Sequence, residues 1–193
     1  MPAVINILLG LRQRDATGQG CHIDVAMADA MFTFAWLALA VGQSTGRYPG
    51  PGELRTAGGS PRYQLYPTRD GKLLACGALE QKFWEAFCAT IGLAPKFIDD
   101  RAAAAGTKAA VAAVIAGETA DHWRPKLAAA DCCATIVSSL EEALRDPHFV
   151  ERGLFAYAVA GTSGATIRAL PIPVDPEFRE PPDKIKGPPE LPK

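Results

Sequence analysis

Between Ala30 and Val41 the chain presents AMFTFAWLALAV, a stretch in which only Thr33 is polar. Whatever this chain folds into must cover that stretch. It falls well short of the roughly 20 residues a bilayer span needs, and Asp29 stands at its start, so it reads as a buried helix over about Ala28 to Val41. Met31, Phe34, Ala35, Leu37 and Ala38 leave this helix hardly any polar face, so protein is expected on most of its sides. Within this chain there is little to supply that cover.

The opening has the same character. Val4, Ile5, Leu8, Leu9 and Leu11 repeat at helical spacing almost from the first residue, without a polar lead-in, which points to a piece of something longer. Thr17-Gly18-Gln19-Gly20 ends that helix, and His22 to Met27 alternates as a short strand would. No basic residue precedes the apolar stretch and no small-residue cleavage pattern follows it, so export is not expected. Five cysteines in 193 residues are too few and too odd in number for a disulfide scaffold, which fits a reducing cytoplasm. With 20 Lys and Arg against 21 Asp and Glu, bulk charge recruits neither nucleic acid nor a membrane surface.

A more regular part follows a loop at residues 42–61. Tyr63 to Tyr66 and Leu73 to Cys76 flank Asp70-Gly71, whose preferred turn matches the twist of a hairpin. Phe83, Trp84, Phe87, Cys88 and Ile91 then lie on one face of a helix expected from Glu80 to Ile91, with Gly92 ending it. Helices are expected at about Lys108 to Ala116 and Asp121 to Ala130, and Cys132 to Val137 reads as a buried strand. Its two cysteines would point to opposite faces, both buried. Ser139-Leu-Glu-Glu142 has the reciprocal capping pattern, which predicts a helix to about Arg145. Phe155 to Ala160 and Thr166 to Leu170 can pair across Gly161 to Gly164, and from Pro171 onward the chain is proline-rich and extended.

Chemistry-bearing motifs are few. Gly42-Gln-Ser44-Thr-Gly46 matches the G-x-S-x-G pattern of serine hydrolases, but it follows a helix and enters a proline-glycine loop, so Gly42 reads as a helix C-cap. His22, His122 and His148 are scattered, and no Cys or His pair has zinc-ligand spacing, so no metal is expected. No phosphate-cradling glycine motif occurs; Gly58-Gly59 suits either a turn before the hairpin or a backbone close to a ligand. Glu80, where a strand end meets a helix start, is either a plain first-turn glutamate or a carboxylate that orients a ligand or base.

Taken together, five stretches in register resemble the family III CoA-transferase and α-methylacyl-CoA racemase family over roughly residues 3 to 171. They are Thr17 to Met27 with Asp29-Ala30, Gly58-Gly59-Ser60-Pro61-Arg-Tyr63, the Asp70-Gly71 hairpin, Gly77-Ala78-Leu79-Glu80-Gln-Lys-Phe83-Trp84, and Asp146-Pro147-His148 with Arg152-Gly153. The resemblance implies an α/β fold, here the C-terminal portion of a two-domain enzyme whose Rossmann-like large domain is absent from this chain. On that basis residues 1–59 are a segment of the large domain and linker, 60–150 the small α/β domain, and 151–193 a returning segment with a proline-rich tail.

The resemblance also implies a coenzyme A thioester as substrate, no prosthetic group, and as partner either a second copy in a dimer or a chain carrying the N-terminal half. In the racemase branch a histidine and an aspartate exchange the α-proton of an acyl-CoA through an enolate; in the transferase branch an aspartate attacks the thioester. Neither Asp24 nor Asp29 matches those residues. Glu80 does match a supporting glutamate of the racemase branch, which orients the catalytic histidine; Gly58 and Gly59, the candidate CoA-binding residues, stand where transferases of the formyl-CoA type carry a longer mobile glycine loop. The short glycine loop and Glu80 tip the expectation toward the racemase branch, with CoA transfer or a non-catalytic fragment as alternatives.

Overall fold

The alternation around Asp70-Gly71 builds the hairpin as expected. In the computed structural model, which describes residues 1–100, 103–161, 163–182 and 187, β1 (Tyr63–Pro67) and β2 (Leu73–Gly77) pair antiparallel with Tyr63 opposite Gly77 and Leu65 opposite Ala75. Gly71 takes φ 77° at the turn, and the Thr68 amide donates to the Lys72 carbonyl at 2.8 Å. A third strand, β3 (Ala134–Ile136), joins on the far side of β2. The chain divides into two units, Met1–Thr135 and Ile136–Lys193.

In the first unit, Tyr66, Leu74 and Cys76 point to one face of the sheet, and all three are buried. Helix α4 (Gln81–Ile91) lays Trp84, Phe87, Cys88 and Ile91 into the same core, and Gly92 ends it at φ 68°. Trp84 and Phe87 stack at 5.8 Å. Helix α5 (Ala104–Ala116) adds Val111 and Ile115, and α6 (Ala120–Ala129) adds Trp123 and Leu127. The first of these starts four residues before the expected Lys108, because Ala104 and Ala105 propagate a helix at no side-chain cost. Each buried aromatic polar group is satisfied: Trp84 Nε1 donates to Ile98 O, Trp123 Nε1 to Ile115 O, and the Tyr66 hydroxyl to Pro61 O. Among the described residues one buried side-chain polar atom, Thr107 Oγ1, has no partner.

The residues ahead of the loop pack differently. Helix α1 (Pro2–Thr17) is capped by Gly18 at φ 72°, and neither it nor α2 (Met27–Phe34) contains a buried residue. Val4, Ile5, Leu8, Met31, Phe32, Phe34 and Trp36 are all more than half exposed. The expected single helix is two, α2 and α3 (Trp36–Thr45), parted at Ala35, whose amide is shared between the Met31 and Phe32 carbonyls at 3.1 Å each. His22 to Met27 forms no strand. A strand needs a neighbour for its backbone groups, and this stretch instead runs beside α1, where Ile23 and Cys21 approach Gly10. The C-cap of α3 is Gly46 at φ 73°, not Gly42, which lies inside the helix beneath the Tyr48 ring.

In the second unit, Ser139 and Glu142 make the capping box for α7 (Leu140–Ala143), two residues shorter than expected. Asp146 caps α8 (Pro147–Glu151). β4 (Tyr157–Ala160) and β5 (Thr166–Ala169) form the second hairpin, with Phe149 and Phe155 edge to face at 6.4 Å. The proline-rich stretch is without helix or strand to Pro182 apart from one 3-10 turn at Pro176–Phe178; beyond that, only Gly187 lies within the described residues.

Asp70 ties the first hairpin to the helices. Its carboxylate accepts from the Thr68 hydroxyl at 2.6 Å and from the Ala120 amide at 3.0 Å, and these bonds, the first the larger, hold its pKa below the ordinary 3.8. Since the folded value is the depressed one, this stabilisation is present above the unfolded pKa and is lost as pH falls through the folded one. The stability gap between wild type and Asp70→Ala, measured by urea unfolding, is therefore expected to shrink as the buffer is taken from about pH 7 to about pH 3. A constant gap would contradict the assignment.

Candidate functional site

The face of the three-stranded sheet turned away from the core is also apolar. Tyr63, Leu65, Ala75 and Gly77 lie on it by the period of two, Cys133 to Thr135 border it, and Thr56 to Gly58 form a wall. Together they enclose an open groove of about 750 Å³. Its floor is shallow because the central positions, Ala75 and Gly77, carry little or no side chain.

The wall is a tight loop. Both Ala57 and Gly59 donate their amides to the Leu54 carbonyl at 2.9 Å, and Gly58 takes φ 92°. A Cβ on Gly59 would stand 2.2 Å from the Glu53 carbonyl oxygen and 2.7 Å from that of Leu54, so backbone proximity demands glycine there. The Gly58 carbonyl accepts from Gln64 Nε2 at 3.2 Å and Lys108 Nζ at 2.9 Å. Gly58 lines the groove and Gly59 does not. Both glycines thus serve the turn, and Gly58 also lines the groove.

Glu80 is the N-cap of α4, one position before the first turn. Its carbonyl accepts from the Trp84 amide at 3.0 Å, while its side chain is exposed and does not cap the helix. The carboxylate is free to face something outside the chain. It is not among the groove residues, so the groove and Glu80 are neighbouring features joined through the Gly77–Leu79 segment.

That segment is held from several directions. The Gly77 amide donates to Cys133 O at 2.8 Å and the Leu79 amide to Gly77 O at 2.9 Å. The Leu79 carbonyl receives Arg55 Nη2 at 3.0 Å, with Arg62 Nη1 farther off at 3.5 Å. Arg62 is 6% exposed; its Nε and Nη2 both donate to Asp100 Oδ1, at 3.0 and 2.6 Å, and its guanidinium lies 5.3 Å from the Trp84 ring centre. The sequence alone assigns no role to Arg55, Arg62, Asp100 or Lys108, although Arg62 lies in the Gly58 to Tyr63 stretch that carries the resemblance. Arg62 sits where strand alternation begins, and its partner is 38 residues away.

The remaining chemistry is quiet. Ser44 donates to Val41 O from within α3 and is not lifted on a strand-to-helix turn. Burial raises the Cys76 thiol to about 11 and the Cys88 thiol to about 12, and raises that of Cys132 as well. Cys133 is exposed and at φ 48°, ahead of the strand and not in it, which corrects the expectation of two buried neighbours. Among the described residues no group of three or more His, Cys, Asp and Glu gathers as metal ligands would, and no helix is long and apolar enough to cross a membrane.

Compared with known proteins, the chain matches CoA-transferase family III over residues 1–192. It belongs to that family. It is 31% identical over 158 residues to the α-methylacyl-CoA racemase of Mus musculus and 30% to that of Homo sapiens, a match covering 78% of this chain and 40% of each relative. It is 29% identical over 125 residues to the acetyl-CoA:oxalate CoA-transferase of Acetobacter aceti, covering 61% of this chain and 32% of that protein. The fold is similar to crystal structures of Rv3272 from Mycobacterium tuberculosis. One of them matches at TM-score 0.66 and 21% identity over 95% of this chain and 48% of that one; another does so at 0.65 and 22% over 90% and 47%. The match therefore spans about one-third to one-half of the length of these proteins.

Two measurements check the site geometry. Gly59→Ala is expected to lower stability in urea by about 1–3 kcal/mol, whereas Gly20→Ala, with nothing near its Cβ, stays within about 0.5 kcal/mol. Iodoacetamide applied to the native chain is expected to label Cys21 and Cys133 and to spare Cys76, Cys88 and Cys132, read by peptide mass.

Proposed function

We propose that this chain works as part of a CoA-thioester enzyme of the racemase type, taking the α-proton of a 2-methylacyl-CoA and returning it. The observation that carries the reading is Glu80 in the Gly77-Ala78-Leu79-Glu80 segment: an exposed carboxylate at a helix start, left unused by the cap beside it. Similarity to two racemases at 30% identity or more supports the same branch. Glu80 is a supporting residue here. It would accept a hydrogen bond from an imidazole supplied from outside the described residues, fixing the ring's tautomer and raising its basicity. The bases that move the proton belong to a completing polypeptide or segment, and assembly with a second copy is part of the reading. The substrate is a CoA thioester, with Gly58 a candidate contact where it lines the groove. A reducing cytoplasm suits the five free thiols.

A second reading is CoA transfer through an aspartyl intermediate, favoured by the similarity to an oxalate CoA-transferase. A third, a fragment without turnover, is favoured by the exposed apolar side chains of α1 to α3.

The completed enzyme distinguishes these. In D2O, deuterium entering the α-carbon of a 2-methylacyl-CoA is expected, and Glu80→Gln should slow that exchange by about 100-fold while changing stability by less than about 0.5 kcal/mol. Transfer of CoA to a free carboxylate without α-exchange would select the second reading, and equal loss of turnover and stability in Glu80→Gln would remove the role given to Glu80.

A further inference from the structure

We propose that Arg55 is a positioning residue for Glu80, latching the glycine loop to the start of α4; this rests on the role given to Glu80 above. The argument begins with the Leu79 carbonyl. It immediately precedes the N-cap, so it can join neither the helix nor the sheet, and a carbonyl in that position needs a donor from elsewhere. Arg55 supplies it from 24 residues away, at 3.0 Å, through an otherwise exposed side chain. Holding a long exposed side chain in one place costs conformational entropy, so the contact persists only if the charged donor and the carbonyl are well aligned.

What the latch fixes is the peptide plane between Leu79 and Glu80. Glu80 leaves the backbone at φ −75° and ψ 146°, and its side-chain direction follows from that geometry. On the other side of Arg55 lies the loop that walls the groove, itself tied down by Gln64 and Lys108 on the Gly58 carbonyl. Arg62 also points at Leu79 O, but its guanidinium is committed to Asp100 and its removal would disturb the core. Arg55 is the separable contact. One exposed side chain thus couples the glycine loop to the segment that carries the carboxylate, so that a displacement of the loop displaces Glu80 with it.

The test uses the full chain with Arg55→Ala, Arg55→Lys, and Arg55→Ala combined with Glu80→Gln. Hydrogen exchange comes first, at the Trp84 amide, which donates to Glu80 O. About tenfold faster exchange is expected in Arg55→Ala, with recovery in Arg55→Lys and little change in melting temperature. In the completed enzyme, Arg55→Ala should lower kcat about tenfold with KM nearly unchanged, and should cost nothing further in the Glu80→Gln background. Unchanged exchange at Trp84 overturns the proposal whatever Glu80 does. So does a loss of kcat that multiplies with that of Glu80→Gln. Full turnover of Glu80→Gln alone would instead overturn the role of Glu80, while the exchange result still decides whether Arg55 holds the junction.

Discussion

The buried pair of Arg62 and Asp100 is the contact on which the first unit's site geometry depends. Arg62 stands at the entry to β1 and Asp100 beyond α4, and their side chains are 8% and 10% exposed at an N–O distance of 2.6 Å. Leaving either charge buried without the other costs about 3–5 kcal/mol, so the pair acts as a lock that is either closed or absent. Trp84 completes it: its ring lies beside the guanidinium, and its indole N–H binds the Ile98 carbonyl two residues before Asp100. The start of the hairpin, the first turns of α4 and the segment after it are thereby fixed to one another. The Leu79 carbonyl borders that arrangement, 3.5 Å from Arg62 Nη1, and the Glu80 carbonyl accepts the Trp84 amide.

Around this lock the chain is unevenly supported. The core from Tyr66 to Cys132 is dense and its aromatic polar groups are satisfied, whereas no residue before Gly42 is buried. The second unit has its caps and its hairpin but, among the described residues after Ile136, no fully buried side chain. Large apolar side chains exposed in this number mark surfaces made to be covered. Relatives matched over most of this chain are about twice as long or more.

Much of this was legible in the sequence because it is local. Asp70-Gly71 specified the hairpin, the aromatic stripe specified α4, and Ser139 with Glu142 specified a cap, each within a few residues. Long-range features were not legible. Arg62 meets Asp100 and Arg55 meets Leu79 across 38 and 24 residues, and no periodicity signals such a pairing. The strand expected at His22 to Met27 failed for a related reason: alternation shows that a segment can be a strand, but only a neighbour makes it one. Cys133 escaped because a non-glycine residue at positive φ is rare enough that no pattern anticipates it. For the candidate site, Glu80 drew attention through resemblance, and the Arg55 contact on the Leu79 carbonyl is visible only in the geometry.

If the chain works as proposed, as part of a larger CoA-thioester enzyme, native mass spectrometry of the tagged chain, purified gently from its own cells, should find it in a larger assembly. The expected result is a stoichiometric assembly containing a polypeptide that carries the histidine and aspartate, or the lone aspartate, which this chain does not match, and that covers α1 to α3. A monodisperse monomer that binds no hydrophobic dye would contradict it.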